Sequence, residues 1–346
     1  MRMLGQTGMS VSAYCLGTMM FGTAGNTNRA EIVAMIQYAL DSGINCIDTA
    51  DVYSRGESEE IVGEALRGRR ENVVLATKVS GKMAEDPNSR GGSRRWLIRE
   101  IESSLRRLRT DYIDIYQVHR PDPYCDLDET LSAMSDLVHA GKVRVVGTSG
   151  FPPESIVEAQ WIAEKRGHVR VRCEQPQYSL FCRSVELAVL PTCARYGLGV
   201  ITYSPLAGGW LTGRYRKGAF DCDGRAAKQP RLYDPRHPSN SGRTAAVEDL
   251  LALSEEVGCS LPHLALAFVM AHPFVTSAIV GPRTMEQLRD ILSGARLGLS
   301  DAILDRIDEI VPPGQDLGPS GRTSAFGHTD AGLRRRSPTQ RRATLS

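Results

Sequence analysis

Eight times along this chain a short apolar run gives way to a longer stretch of helical spacing, and few architectures accommodate so many repeats of one unit. The apolar runs lie at 13–17 (AYCLG), 44–48 (INCID), 73–78 (VVLATK), 112–118 (YIDIYQV), 143–148 (VRVVGT), 170–174 (RVRCE), 199–203 (GVITY) and 276–280 (TSAIV). Helical patterns follow near 28–42, 57–69, 93–108, 127–140, 153–166, 184–195, 261–271 and 284–293. In the third of these Ile98, Ile101, Leu105 and Leu108 recur on one face, and Gly43 and Gly141 stand where the first and fourth would end in a left-handed cap. Strands alternating with helices give a parallel sheet, and eight is the number that closes it. An open Rossmann sheet is the rival. It ordinarily carries G-x-G-x-x-G after its first strand, whereas LGTMMFG stands there in this chain. The expected fold is therefore α/β, a (β/α)8 TIM barrel over residues 1–311.

Two regions fall outside the repeat. Residues 204–260 are too long for one strand-to-helix loop and contain a Gly-, Pro- and Arg-rich stretch (213–242) and an extra helix at 243–257, before the eighth strand. An ordered loop of this length on the active face of a barrel is a lid or a specificity element; a disordered insertion is the alternative. After a C-terminal helix near 301–310, residues 312–346 form a basic tail rich in Gly, Ser, Thr, Pro and Arg, expected to be disordered.

The formal net charge is +2, yet residues 317–346 hold six arginines and one aspartate, so the remainder is mildly acidic. That balance calls for neither nucleic acid nor a membrane surface, and the tail reads as a solvated end. The eight cysteines are scattered with no C-x-x-C pair, which argues against a zinc site or a redox dithiol. Cys15, Cys46, Cys173 and Cys193 lie in apolar stretches, where a thiol behaves as a small hydrophobe. MRMLGQTGMS has no signal-peptide core and no apolar run is long enough to span a bilayer, so a cytoplasmic location is expected, with the oligomeric state left open.

In a closed parallel barrel the active site lies at the C-terminal ends of the strands. Strand two ends in Asp48 with Tyr53 in the loop after it, strand three ends in Lys78, and strand four runs into His119. Each alone has a plain structural explanation: a turn cap, a packed ring, a solvated strand end, a satisfied core histidine. Together at one mouth they describe proton delivery to an oxyanion. A phenol with a pKa near ~10 keeps its proton at neutral pH. A lysine ammonium about 4 Å away, at an effective dielectric near 20, would stabilise the phenolate by roughly 4 kcal/mol, about three pKa units, and draw it toward working pH. Asp48 would anchor Lys78, and His119 would orient a carbonyl. Other chemistries fit less well: GTSGF is not the G-x-S-x-G of a serine hydrolase, and the seven histidines show no metal-ligand spacing, so no metal is expected.

Around these residues the chain resembles the aldo-keto reductase family. The resemblance runs from LGQTGMSVSAYCLGTMMFG to about residue 310, through INCIDTADVYSRGESEEIVGEAL, VVLATKV, SLRRLRTDYIDIYQVHRPD, KVRVVGTSGF, EQPQYSLF, YSPLAGGWLTGRY and IVGPRTMEQL. It implies that Asp48, Tyr53, Lys78 and His119 form a catalytic tetrad with Tyr53 as the acid. It also implies that NADPH lies extended across the barrel mouth without a Rossmann fold. By the same resemblance Gly17 and Thr18 lie beside the nicotinamide, Ser149 and Gln175 hold its carboxamide, and Tyr203 stacks on its ring. Ser204, Leu206, Gly208 and Arg214 fall at the pyrophosphate, and Gly281, Arg283, Gln287 and Asp290 at the adenosine ribose and its phosphate. Backbone N–H groups at a loop and helix start suit phosphate, and an arginine suits a 2′-phosphate.

Two positions depart from the family pattern. Gly150 replaces the asparagine of G-x-S-N-[FW], and Ile291 stands where an asparagine commonly faces adenine. Each lost neutral hydrogen bond is worth about 0.5–1.5 kcal/mol. The implied activity is NADPH-dependent reduction of small-molecule aldehydes and ketones to alcohols, in a pocket that Met19, Met20, Phe21 and Tyr53 would line. The alternative carried by the same resemblance is a nicotinamide-cofactor-sensing regulatory subunit with little turnover.

Overall fold

The alternation of side chains along eight strands governs the architecture of the computed structural model, which describes residues 1–216, 218 and 229–318. A short antiparallel hairpin, β1 (Arg2–Met3) and β2 (Ser10–Val11), comes first. Then follow β3 (Tyr14–Gly17), β4 (Cys46–Asp48), β5 (Val74–Val79), β6 (Ile113–Val118), β7 (Val143–Ser149), β8 (Val171–Gln175), β9 (Gly199–Thr202) and β10 (Ser277–Val280). These eight pair in parallel and close, β10 joining β3 on one side and β9 on the other. The fold is the expected (β/α)8 TIM barrel.

Each strand sends one apolar side chain into the barrel. Cys15, Cys46, Ala76, Ile115, Val145, Cys173, Ile201 and Ile279 form a buried cluster, which Leu4 and Val11 of the hairpin join. The hairpin was not legible as two strands in the sequence. It packs tightly nonetheless, since a Cβ on Gly199 would lie 2.3 Å from a methyl of Leu4. Two residues further along each strand, side chains return to the same face. Those positions are Gly17, Asp48, Lys78, Gln117, Gly147, Gln175, Tyr203 and Gly281. A polar ring thus rests directly on an apolar layer. Crowding sets its glycines: a Cβ on Gly17 would lie 2.4 Å from a methyl of Ile279, and one on Gly147 would lie 2.8 Å from Gln117.

The outer layer comprises α1 (Arg29–Asp41), α2 (Glu57–Ala65), α3 (Arg94–Leu108), α4 (Leu127–His139), α5 (Pro153–Arg166), α6 (Val189–Tyr196), α7 (Pro230–Tyr233), α8 (Ser241–Val257), α9 (Leu261–Ala271), α10 (Met285–Ser293) and α11 (Asp301–Ile310). Starts carry side-chain caps: Asn28 accepts from the Glu31 amide and Ser93 from that of Trp96. Gly43 and Gly141 take positive φ after α1 and α4, as their positions suggest.

Two expectations need correction here. Ile98 is exposed, and the buried stripe of α3 runs through Leu97, Ile101, Leu105 and Leu108, since Leu97 and Ile101, four apart, stack on one face. The helix expected over 184–195 is a 3₁₀ turn (Ser184–Glu186) followed by α6, because Pro191 fits only the first turn of a helix.

The long insertion is pinned by aromatic rings where it is described. Trp210 is fully buried, donates from its indole nitrogen to the Leu232 carbonyl at 2.9 Å, and packs at a tilt against Tyr215, which packs likewise against Tyr233. Residues 217 and 219–228 of the Gly-, Pro- and Arg-rich stretch lie outside the described residues. Part of the expected tail is hydrogen-bonded to the barrel: Asp316 accepts from the Ser184 amide and hydroxyl, and the Leu317 amide donates to the Phe181 carbonyl. The remainder, 319–346, lies outside the described residues. Among those described, no helix is long and apolar enough to cross a membrane.

Candidate active site

Burial governs the chemistry of the polar ring. Lys78, at the end of β5, is wholly buried, and its ammonium donates to Asp48 Oδ2 (2.5 Å), the Thr49 carbonyl (2.8 Å) and the Tyr53 hydroxyl (3.2 Å). All three donors are therefore used, and a buried cation with a paired carboxylate meets the condition for tolerating charge in the interior. Asp48 Oδ1 accepts from Gln175 (2.8 Å) and Gln117 (3.2 Å), and the Gln175 amide also donates to Gln117 Oε1 at 3.1 Å. The Tyr53 and His119 rings meet edge to face with centroids 6.0 Å apart. The four residues expected to form a tetrad are thus neighbours.

Burial alone would pull the Lys78 ammonium down, but Asp48 and Tyr53 outweigh it and hold the pKa above its ordinary value. For Tyr53 the balance is opposite to the expectation. Burial of the hydroxyl is the largest influence and raises its pKa; the attraction of Lys78 opposes this without overcoming it. The phenol therefore sits above its usual value rather than near neutral pH, because removing a phenolate from water costs more than one buried ammonium, itself tied to Asp48, returns.

The expected cofactor residues fall along one rim. Gly17 pairs with Asp48 in the barrel, and the Thr18 amide donates to the Asp48 carbonyl at 3.0 Å. Ser149 and Gln175 end adjacent strands and are paired in register. Tyr203 follows β9, half-buried, with the Arg120 guanidinium 5.5 Å from its ring centroid. Beyond it the backbone is left-handed at Ser204 (φ 56), Ala207 (φ 49), Gly208 (φ 69) and Gly209 (φ 108), with Leu206 in the bridge region between the first two. Non-glycine residues in that region cost of order 1–2 kcal/mol each, and such turns form concave, anion-binding stretches of backbone. Arg214 is exposed just past this loop.

On the other side Gly281 lies next to Gly17, where an added Cβ would come within 3.9 Å of the Gly17 carbonyl oxygen. Arg283, half-buried before α10, gives its amide to Gln287 Oε1 at 2.8 Å, while its carbonyl accepts from Asn26. Asp290 is turned toward α9, its carboxylate 3.5 Å from His263 Nε2. Ile291 is buried.

The backbone and donor set suit a phosphorylated dinucleotide. A concave left-handed loop and a helix start flank the mouth, and a tyrosine ring stands between Ser149–Gln175 and that loop. Among the described residues no group of three or more His, Cys, Asp and Glu side chains is arranged to hold a metal ion.

Two further residues are bonded into this cluster, Gln117 and Arg120. Gln117 stands two residues before His119 on the inward face of β6, so the period of two that places Asp48 and Lys78 also locates it. Arg120 bridges the loop after β6 to Ser149, and nothing local in the sequence signals that reach.

Comparison with known proteins identifies the family of the chain. The profile described as Aldo/keto reductase family matches residues 13–312. The chain is 40% identical over 332 residues to the "Uncharacterized oxidoreductase YrpG" of Bacillus subtilis (strain 168), covering 92% of this chain and 97% of that protein. It is 36% identical over 291 residues to the "Aldo-keto reductase YhdN" of the same organism, covering 82% and 85%. It is also 33% identical over 322 residues to a "Probable voltage-gated potassium channel subunit beta" of Arabidopsis thaliana, covering 89% and 95%.

Proposed function

The chain belongs to the aldo/keto reductase family and is an NAD(P)H-dependent oxidoreductase, and from that premise we propose that it reduces small-molecule aldehydes and ketones to alcohols using NADPH, with Tyr53 as the proton donor. The observation that carries the reading is the Tyr53 hydroxyl held 3.2 Å from a Lys78 ammonium that is itself fixed on Asp48. When bound, the reduced nicotinamide supplies a hydride to the carbonyl carbon. Tyr53, held protonated by burial, is poised as an acid. As negative charge gathers on the substrate oxygen, the phenol proton moves to it, and Lys78 stabilises the phenolate left behind. His119 hydrogen-bonds the carbonyl oxygen and sets its angle. Arg283 and Gln287 bind the 2′-phosphate of NADPH, and the left-handed loop from Ser204 to Gly209 takes the pyrophosphate. Buried free thiols suit a reducing, cytoplasmic setting.

The test follows the absorbance of reduced nicotinamide with a panel of activated carbonyls, in wild type and Tyr53→Phe, with NADH in parallel. Loss of the general acid lowers kcat by roughly 10²–10⁴-fold while NADPH affinity is kept. Equal turnover in the two proteins would sink the assignment of Tyr53.

A second reading has its own support: two plant relatives, 33% and 35% identical, are named as probable voltage-gated potassium channel β subunits. On that reading the chain binds the cofactor as a sensor and turns over slowly. Tight NADPH binding without turnover across the panel would favour it.

A further inference from the structure

We infer that Arg120 supplies the hydrogen-bond donor that recognises the nicotinamide carboxamide oxygen, in place of the side chain absent at Gly150; this rests on the nicotinamide reading above. A carboxamide offers two N–H donors and one oxygen acceptor, so its pocket must supply both acceptors and a donor. At the positions the family resemblance assigns to this group, the donors are already used. Asp48 can only accept, so Gln175 must turn its NH2 toward it; those two protons go to Asp48 Oδ1 (2.8 Å) and Gln117 Oε1 (3.1 Å). The Ser149 hydroxyl gives its one proton to the Gln175 carbonyl at 3.0 Å. Gly150 has no side chain. What remains is acceptor capacity on Gln175 Oε1 and Ser149 Oγ, which suits the carboxamide NH2 and leaves its oxygen unserved.

Arg120 supplies what is missing. Its Nη1 is pinned on the His119 carbonyl (2.7 Å) and on Ser149 Oγ (3.0 Å), with the Ser149 carbonyl at 3.5 Å. Its Nη2 and Nε have no partner among the described residues, and no carboxylate there pairs with it. The guanidinium is half-buried and lies 5.5 Å from the Tyr203 ring centroid, beside the proposed nicotinamide platform. An unpaired, partly desolvated guanidinium in that place calls for an acceptor.

Gly150 belongs to the same device. It takes φ +66, which asparagine also tolerates, but a Cβ there would lie 3.1 Å from Arg120 Nη1. A side chain at 150 would thus crowd the guanidinium, which would have to give way by a few tenths of an ångström, and in this sense the departure at 150 and the arginine at 120 form a matched pair.

The experiment is calorimetric titration of the full chain with NADP⁺ and with 2′-phospho-ADP-ribose, which lacks only the nicotinamide. Arg120→Met is expected to weaken NADP⁺ binding roughly 10- to 100-fold, the range for a lost hydrogen bond to a charged group. The fragment should bind as tightly as to wild type, which also certifies the fold. Adding Gly150→Asn to Arg120→Met should recover most of the loss. Equal NADP⁺ affinity in wild type and Arg120→Met overturns the inference and leaves the reductase reading standing. So does equal weakening of both nucleotides, which makes the residue structural. A change confined to the KM of a carboxylate-bearing aldehyde also overturns it, since the guanidinium would then serve substrate. If wild type binds neither nucleotide, the nicotinamide reading itself falls, and this inference with it.

Discussion

Glu174 shows how one buried carboxyl ties stability to the loop beside the mouth. It points away from the barrel interior, accepting from the Thr148 hydroxyl and from the Phe151 amide at 3.1 Å, so it holds the turn that carries Ser149 and Gly150. Burial, only partly opposed by those donors, raises its pKa to about 7 from an ordinary 4.5. The folded state therefore binds this proton more tightly than the unfolded chain. Its favourable contribution is full below pH 4.5, falls as pH rises toward 7, and is level above. At 1.36 kcal/mol per unit the loss is about 3 kcal/mol. Glu174→Gln cannot ionise, so denaturant melts at pH ~5 and ~8 should show a smaller loss of stability across that window than in wild type. An identical pH dependence in both proteins would refute the assignment. The same scale shows what a sequence withholds. That Asp48, Tyr53, Lys78 and His119 meet at one mouth was legible, because each stands at or just beyond a strand end. The direction of the Tyr53 shift was not, because it depends on how completely neighbouring loops exclude water from the hydroxyl.

Among the elements, long periodic ones were legible and short ones were not. Eight strands and their helices announce themselves by repeating. A hairpin of two-residue strands carries no period, although its Leu4 is fully buried beneath the barrel. Leu4→Ala should cost about 2–5 kcal/mol, read as a lower denaturation midpoint. Turnover at ambient temperature should hold, since the residue lies on the side of the apolar layer away from the polar ring. A matching loss of kcat would mean that the floor of the barrel controls the mouth. Arg120 failed to announce itself for a related reason. Its partners Ser149 and Tyr203 come from the neighbouring strand β7 and from just past β9, and only the pairing and curvature of the sheet bring the three together.

At the scale of the whole molecule, stability and chemistry are stacked rather than intermixed, one pleat apart along the same strands. Three of the eight side chains in the lower layer are cysteines, Cys15, Cys46 and Cys173, all wholly buried and all free. Burial holds the Cys15 and Cys173 thiols well above their ordinary pKa, so in the native state they are neither accessible nor ionised. An alkylating reagent should mark the half-buried Cys125 and Cys259 quickly and reach the three barrel thiols only when the barrel opens. If NADPH is the cofactor, as proposed, a saturating concentration should favour the closed state and slow that second phase by up to the factor 1 + [NADPH]/Kd. Fast labelling of all three in the native protein would contradict a closed interior. The chain thus carries its own clock: the rate at which those sulfurs react, followed by mass spectrometry, times the opening of the fold without any introduced probe.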